Sequence, residues 1–156
     1  MADQPNQLRV RLVTPERTLF ESDAEAVELP SKTGYMEVLY GAAPLLAELG
    51  AGDVTIHNPV AGAAAAQAGG DKAGTAGGST RYNVSWGFAE VLPDRVTILA
   101  NDALKPEEID VARAEQQLDR GLKMWREAGE SEAAYDEALR VIAEAEAKIS
   151  SAAERR

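Results

Sequence analysis

The residues of this chain that could do chemistry are few, and most lack the neighbours they would need. The segment Gly69-Gly70-Asp71-Lys72-Ala73-Gly74-Thr75-Ala76-Gly77-Gly78 has the glycines of a phosphate-cradling loop. Such a loop ends in glycine-lysine-serine or -threonine, placing an ammonium on the phosphates and a hydroxyl on the metal, and a helix follows it; both features are missing here. His57, the only histidine, precedes Asn58-Pro59 and has no adjacent carboxylate that would make it a general base or metal ligand. Asp23, Glu25 and Glu28 alternate through strand-like sequence with no paired base, the pattern of a solvated face. Ser85 has neither a glycine elbow nor an oriented histidine. There are no cysteines, which excludes disulfides, thiol nucleophiles and thiolate metal sites. No constellation supports an enzyme.

One run remains: Ile109-Asp110-Val111-Ala112-Arg113-Ala114. Taken alone it is explained by helix formation. Asp110 favours the positive end of the helix dipole, Arg113 pairs locally, and Ala112 and Ala114 keep the face narrow. What these residues can do depends on the elements that carry them.

Up to Ala100 the chain reads as short strands. Leu8, Val10 and Leu12 alternate with Arg9 and Arg11, giving one buried and one wet face. A turn at 14–17 follows, then strands at 18–20 and 25–29, with Val27 and Leu29 on one face and Ala26 and Glu28 on the other. The segment Pro30-Ser31-Lys32-Thr33-Gly34 is expected to break that run. Further strands are expected over 35–40, 45–49 and 54–57, each closed by Gly or Pro. Tyr82, Val84 and Trp86 then share a face, 88–92 resumes extended character, and 96–100 follows a turn at Pro93-Asp94. Short strands at this spacing indicate a sandwich or flattened barrel.

Between two of these strands lies 58–79, in which 14 of 22 residues are Ala or Gly. It has few side chains to anchor it and a high entropic cost of ordering, so it is expected to be a flexible excursion.

After Pro106, whose missing N–H suits a first helical position, Glu107, Glu108 and Asp110 gather where the dipole favours negative charge. Val111, Ala114, Leu118, Leu122 and Trp125 follow helical spacing. Gly129 is a left-handed stop and Ser131 an N-cap. The second helix then puts Tyr135, Ala138, Ile142, Ala145 and Ile149 on a matching face. The expected architecture is an N-terminal antiparallel β-sandwich over 1–103, carrying the insertion, and a C-terminal antiparallel helical hairpin over 104–156.

Composition limits the partners. There are 12 acidic against 7 basic side chains up to Ala100 and 14 against 9 beyond it, so each part carries −5 of the net −10. Neither part has the basic footprint of a nucleic-acid binder. The N-terminus lacks a positive region followed by an apolar one, and no apolar run approaches the roughly 20 residues of a membrane-spanning helix. A soluble, intracellular chain with a protein partner or none is expected.

The ordered set of motifs resembles the ε subunit of F-type ATP synthases. Its members are Val13-Thr14-Pro15-Glu16 with Leu19-Phe20, Val27-Glu28-Leu29-Pro30, Val38-Leu39, Gly41-Ala42-Ala43-Pro44-Leu45-Leu46, Gly87-Phe88-Ala89-Glu90-Val91, and the run at 109–114. The resemblance implies a non-catalytic central-stalk rotor subunit that couples proton flow to ATP synthesis and restrains hydrolysis through its hairpin. Implied partners are the γ subunit, the c-subunit ring and, through the hairpin, the catalytic α and β subunits. The implied location is peripheral, on the cytoplasmic face of the bacterial inner membrane.

On the ring side the implied contact residues are Gly34, Tyr35, Glu37, Gly41 and Pro44, with Ala42 where the family commonly has histidine. On the hairpin they are Arg140 and Lys148, diluted by Glu137, Glu144, Glu146 and Glu154. The resemblance also implies ATP as a regulatory ligand at Ile109, Asp110, Arg113, Ala114 and Arg120. Leu104 stands where the family has a glutamate, and the second-helix arginines have no clear match. A free-standing sandwich that binds a small molecule or carbohydrate, with the hairpin as an oligomerisation handle, is the alternative.

Overall fold

The structure is a computed structural model that describes residues 6–60 and 78–154. It divides into two compact units, one ending at Ala103 and one beginning at Leu104. Eight strands run in order: β1 Leu8–Val13, β2 Thr18–Ala24, β3 Ala26–Ser31, β4 Gly34–Leu39, β5 Leu45–Leu49, β6 Gly52–His57, β7 Ser79–Leu92 and β8 Arg95–Leu104. They pair in the order β2-β1-β8-β7-β5-β3-β4, with β6 joining β3 and β7. The sandwich expected from the strand spacing is present. One pairing departs from a purely antiparallel design, because β1 and β8 run parallel, with Leu12 opposite Ile98. Parallel neighbours need a long connection, and here the rest of the sandwich supplies it.

The alternation read from the sequence becomes the core. Leu8, Val10, Leu12, Val27, Leu29, Leu49, Val54, Ile56, Val84, Val96 and Ile98 are fully buried in one cluster. Full burial of each such side chain stabilises the fold by about 1.5–3 kcal/mol. The run breaks within 30–34 as expected, β3 ending at Ser31, but Pro30 itself is still in the strand. It lies within β3 opposite Tyr35, at the place where β3 leaves β6 for β5, so its missing N–H is tolerated. Ala26 is buried as well as Val27, not turned to a wet face.

The face assigned to Tyr82, Val84 and Trp86 also fails at its last member. Trp86 has φ 53° and is half-buried, and beyond it the buried positions become Ala89 and Val91. A bulge at Trp86-Gly87 shifts the phase by one residue. It sits where β7 changes partner, from β6 up to Val84 to β5 from Gly87. Gly87 is required there: φ is 135°, and a Cβ would come within 1.9 Å of the Leu99 carbonyl oxygen. The flanks of the glycine- and alanine-rich insertion pair with each other, His57 opposite Ser79. Residues 61–77, and with them nearly all of the glycine-rich segment 69–78, lie outside the described residues.

In the second unit a single 3-10 turn, Pro106–Glu108, precedes α1, Val111–Glu127, and α2, Glu132–Ala153. The long helix thus starts five residues later than Pro106 suggested. Pro106 opens the 3-10 turn, and Glu107 and Glu108 belong to it, not to α1. Proline at a first position is equally satisfied by either helix type, and Asp110 supplies the actual cap by accepting the Arg113 N–H at 3.1 Å. The hairpin turn follows the sequence expectation: Gly129 has φ 60°, and the Ser131 hydroxyl accepts the Ala134 N–H at 3.3 Å.

The helix faces are narrower than predicted. Ala114 and Gly121 are buried on α1, whereas Leu118 and Leu122 are half-buried and Val111 and Trp125 exposed. On α2, Ala138, Val141 and Ala145 are buried, whereas Ile142 is half-buried and Tyr135 exposed. Two helices bury only a seam, so the flanks of each stripe remain open.

Candidate functional site

The nucleotide candidates lie at the start of α1, and the fold occupies most of them with structural work. Ile109 is buried just ahead of the helix, Asp110 is its N-cap, and Ala114 is buried one turn on. Arg113 and Arg120 are exposed, seven residues apart on one face of a regular helix, about 10 Å along its axis. The local ion pair expected of Arg113 is not formed among the described residues; what Asp110 holds is its backbone N–H. Two exposed guanidinium groups can engage phosphate oxygens, but Asp110 and Ala114 already have other roles. No group of three or more His, Cys, Asp or Glu that could hold a metal ion is found among the described residues.

The residues assigned to ring contact do not form one patch. Gly34 and Tyr35 begin β4, next to the tight turn from β3, where the Ser31 hydroxyl donates to the Gly34 carbonyl at 2.6 Å. Tyr35 is 60% exposed, yet its hydroxyl accepts the Asp53 N–H at 3.1 Å, which fixes the ring over the β5–β6 corner. Glu37 is exposed in mid-strand opposite Glu28. Gly41 and Pro44 lie past the other end of β4, roughly 20 Å away at the rise of a strand. There the Gly41 N–H donates to the Pro93 carbonyl at 2.6 Å, tying the β4–β5 turn to the β7–β8 turn. Leu39, Tyr40 and Leu45 cluster around that end and are exposed, so it is the apolar end of β4.

Sequence reasoning missed a second apolar feature. Leu46 on β5, Phe88 on β7 and Leu99 on β8 are all exposed, Leu46 by 69%. Glu48 and Glu90, their strand neighbours on the outer face, pair opposite Phe88 and Leu46. The signal was available in the phase of β7, but only once the bulge at Trp86-Gly87 is known.

The hairpin charges are already engaged. Lys148 meets Glu144 at 3.0 Å one turn before it, with both side chains mostly buried. Arg140 is exposed on the same helix. Elsewhere, His57 shares a hydrogen bond of 3.1 Å with Ser79, Asn58 donates to Glu25 at 2.6 Å, and Asp23 pairs with Arg9 at 3.5 Å. His57, Glu25 and Asp23 are therefore engaged in structural contacts, and Ser85 is buried. No helix among the described residues is long and apolar enough to cross a membrane.

Residues 7–70 match the family described as ATP synthase, Delta/Epsilon chain, beta-sandwich domain. The ATP synthase epsilon chain of Solibacter usitatus (strain Ellin6076) is 36% identical over 151 residues, covering 95% of this chain and 97% of that one. The epsilon chain of Koribacter versatilis (strain Ellin345) is 42% identical over 106 residues, which span 67% of this chain and 62% of that relative. In fold, the chain superposes with a TM-score of 0.70 on a chain from the Euglena gracilis mitochondrial ATP synthase, OSCP/F1/c-ring in rotational state 1. The sequence identity there is 20%, over 94% of this chain and 81% of that one. With a relative matched along nearly its whole length and a sandwich-plus-hairpin fold in common, the chain belongs to the ATP synthase epsilon-chain family.

Proposed function

We propose that this chain, a non-catalytic central-stalk subunit of an F-type ATP synthase, docks through its sandwich on the γ subunit and the c ring. It does so at the cytoplasmic face of a bacterial membrane, and its hairpin extends the contact to the catalytic subunits. The observation that supports this best is the match with the Solibacter relative along nearly the whole of both chains, over a chain whose sandwich carries exposed apolar surface. The free-standing ligand-binding alternative is not favoured by that match.

Of the two ends of β4, the one with Gly41, Pro44, Leu39, Tyr40 and Leu45 is the better ring contact, because its apolar side chains are exposed on a turn held rigid by Pro93. Tyr35 at the opposite end is committed to Asp53. The hairpin is a weak or conditional brake. Lys148 already faces Glu144, and screened surface pairs contribute at most about 1 kcal/mol each.

The deciding experiment is ATP hydrolysis by a catalytic sector depleted of this subunit, with add-back of the full chain or of a version ending at Ala103. Binding of both, with slowing by the full chain alone, makes the hairpin an inhibitory arm. Binding of both without slowing makes the sandwich a coupling and assembly element, and failure of both to bind overturns the stalk reading. Arg113 and Arg120 support a second role for the hairpin, ATP capture on α1. Calorimetry at millimolar magnesium-free ATP tests it, and absence of heat ends it.

A further inference from the structure

We infer that Asn58, Pro59 and Val60 form a clasp that belongs to the sandwich and fixes the point at which the insertion leaves it. The inference goes beyond the stalk reading and does not depend on it. The β6–β7 ladder is complete at His57 and Ser79, whose side chains also share a hydrogen bond of 3.1 Å. Beyond them the Asn58 N–H donates to the Gly78 carbonyl at 3.0 Å. Asn58 then takes φ 48°, a left-handed value that asparagine tolerates better than most residues. The chain thereby turns off the ladder toward the corner between β2 and β3.

Three contacts hold it there. The Asn58 side-chain amide donates to the Glu25 carboxylate at 2.6 Å, the Val60 N–H to the Asp23 carbonyl at 2.8 Å, and the Ser22 hydroxyl to the Val60 carbonyl at 2.9 Å. Both backbone polar groups of Val60 are thus satisfied by β2. That strand ends the strand order, with β1 as its one neighbour among the described strands, so Val60 covers part of a sheet edge.

Ser22 shows that the sandwich is fitted to the clasp. It is 3% exposed and stands between Phe20 and Ala24 on the buried face of β2, where the alternation calls for an apolar residue. Besides Val60, its hydroxyl reaches the Asp23 carbonyl at a long 3.4 Å. A buried hydroxyl without a good partner is costly, so the reason for a serine at this position lies in Val60. The clasp also places the exit. Ala26 pairs with Leu39 on one side and with His57 on the other, which puts the root of the insertion roughly 10 Å from Leu39 at the usual strand spacing. The insertion therefore starts from the end of the sandwich that carries Leu39, Tyr40 and Gly41, not from the Tyr35 end.

Amide exchange followed by nuclear magnetic resonance on the full chain tests the clasp. The Val60 N–H should exchange at least about a hundredfold more slowly than in an unstructured peptide, and exchange at the free rate overturns the inference. Ser22→Ala removes the hydroxyl and should speed exchange at Val60 by about three- to tenfold, while the amides of Val10 and Val96 in the sandwich keep their rates. Equal speeding at all three would make Ser22 a general core residue and not the holder of the clasp. In a third chain, residues 61–77 are replaced by a short glycine-serine link. Protection at Val60 should survive, because the clasp is held from β2; its loss would show that the insertion holds its own root, and would overturn the inference.

Discussion

The sandwich and the hairpin spend their residues in opposite ways. In the sandwich, large aliphatic side chains from strands far apart in sequence fill one core, and the critical contact at Gly87 is with a backbone carbonyl. In the hairpin the buried helix positions are glycine, alanine, one valine and one serine, and the tight contact at Gly121 is chiefly with side-chain carbons. Burial scales with apolar area, so a leucine core gains far more than an alanine seam. The sandwich is held by a large aliphatic core, whereas the hairpin rests on a narrow seam.

The sharpest way to break the contrast is at the two glycines. Gly87→Val places a Cβ within 1.9 Å of a carbonyl oxygen that belongs to a paired strand and forces a branched residue into φ 135°. Strain of about 1–3 kcal/mol adds to overpacking of about 1–3 kcal/mol, so the sandwich should lose roughly 2–6 kcal/mol, or fail to fold. Chemical denaturation read by tryptophan fluorescence, supported by near-ultraviolet circular dichroism, measures it. A loss below about 1 kcal/mol would mean that the platform yields as readily as the hairpin.

Gly121→Ala should cost far less. The new methyl meets the Cγ1 atoms of Ile142 and Val141, which can move, and alanine recovers about 1 kcal/mol of helix propensity. Against overpacking of about 1–3 kcal/mol the net is about 1 kcal/mol lost, confined to the helices. Exchange rates in the helical peptides should rise while those of strand peptides stay put. A fall in sandwich stability of the same size would erase the distinction between the units.

Much of this contrast was legible before the fold was known. The alternation of Leu8, Val10 and Leu12 reports which face is buried, and Gly129 with Ser131 marks the hairpin turn, because each is a local rule. What escaped was non-local. Nothing near Leu12 indicates that it lies parallel to Ile98, and the bulge at Trp86 arises because β7 must serve β6 and then β5. Gly121 lowers helix propensity, which depends on the helix alone; the reason for it lies in Ile142 on the other helix. The ring-contact set looked like one site for a related reason. Gly34 and Gly41 are close in sequence, but an extended strand turns that interval into roughly 20 Å.

The smallest expected effect tests how far charge contributes to the hairpin. Lys148→Met keeps an apolar stem of similar length and removes the ammonium that faces Glu144 at 3.0 Å. The glutamate stands N-terminal to the lysine at one-turn spacing, the better orientation, and such pairs stabilise a helix by about 0.2–0.5 kcal/mol. Both side chains are mostly buried in the surface, with 16% and 23% exposed, so the value belongs at the upper end of that range. Removing the charge should speed exchange in the helical peptides by about twofold at low salt. At 1 M salt, where the Debye length is about 3 Å, the effect should shrink but not vanish, because a contact this short and sheltered is only partly screened. Complete loss of the effect in salt would make the pair an ordinary surface contact and leave the seam at Gly121 as the hairpin's main support.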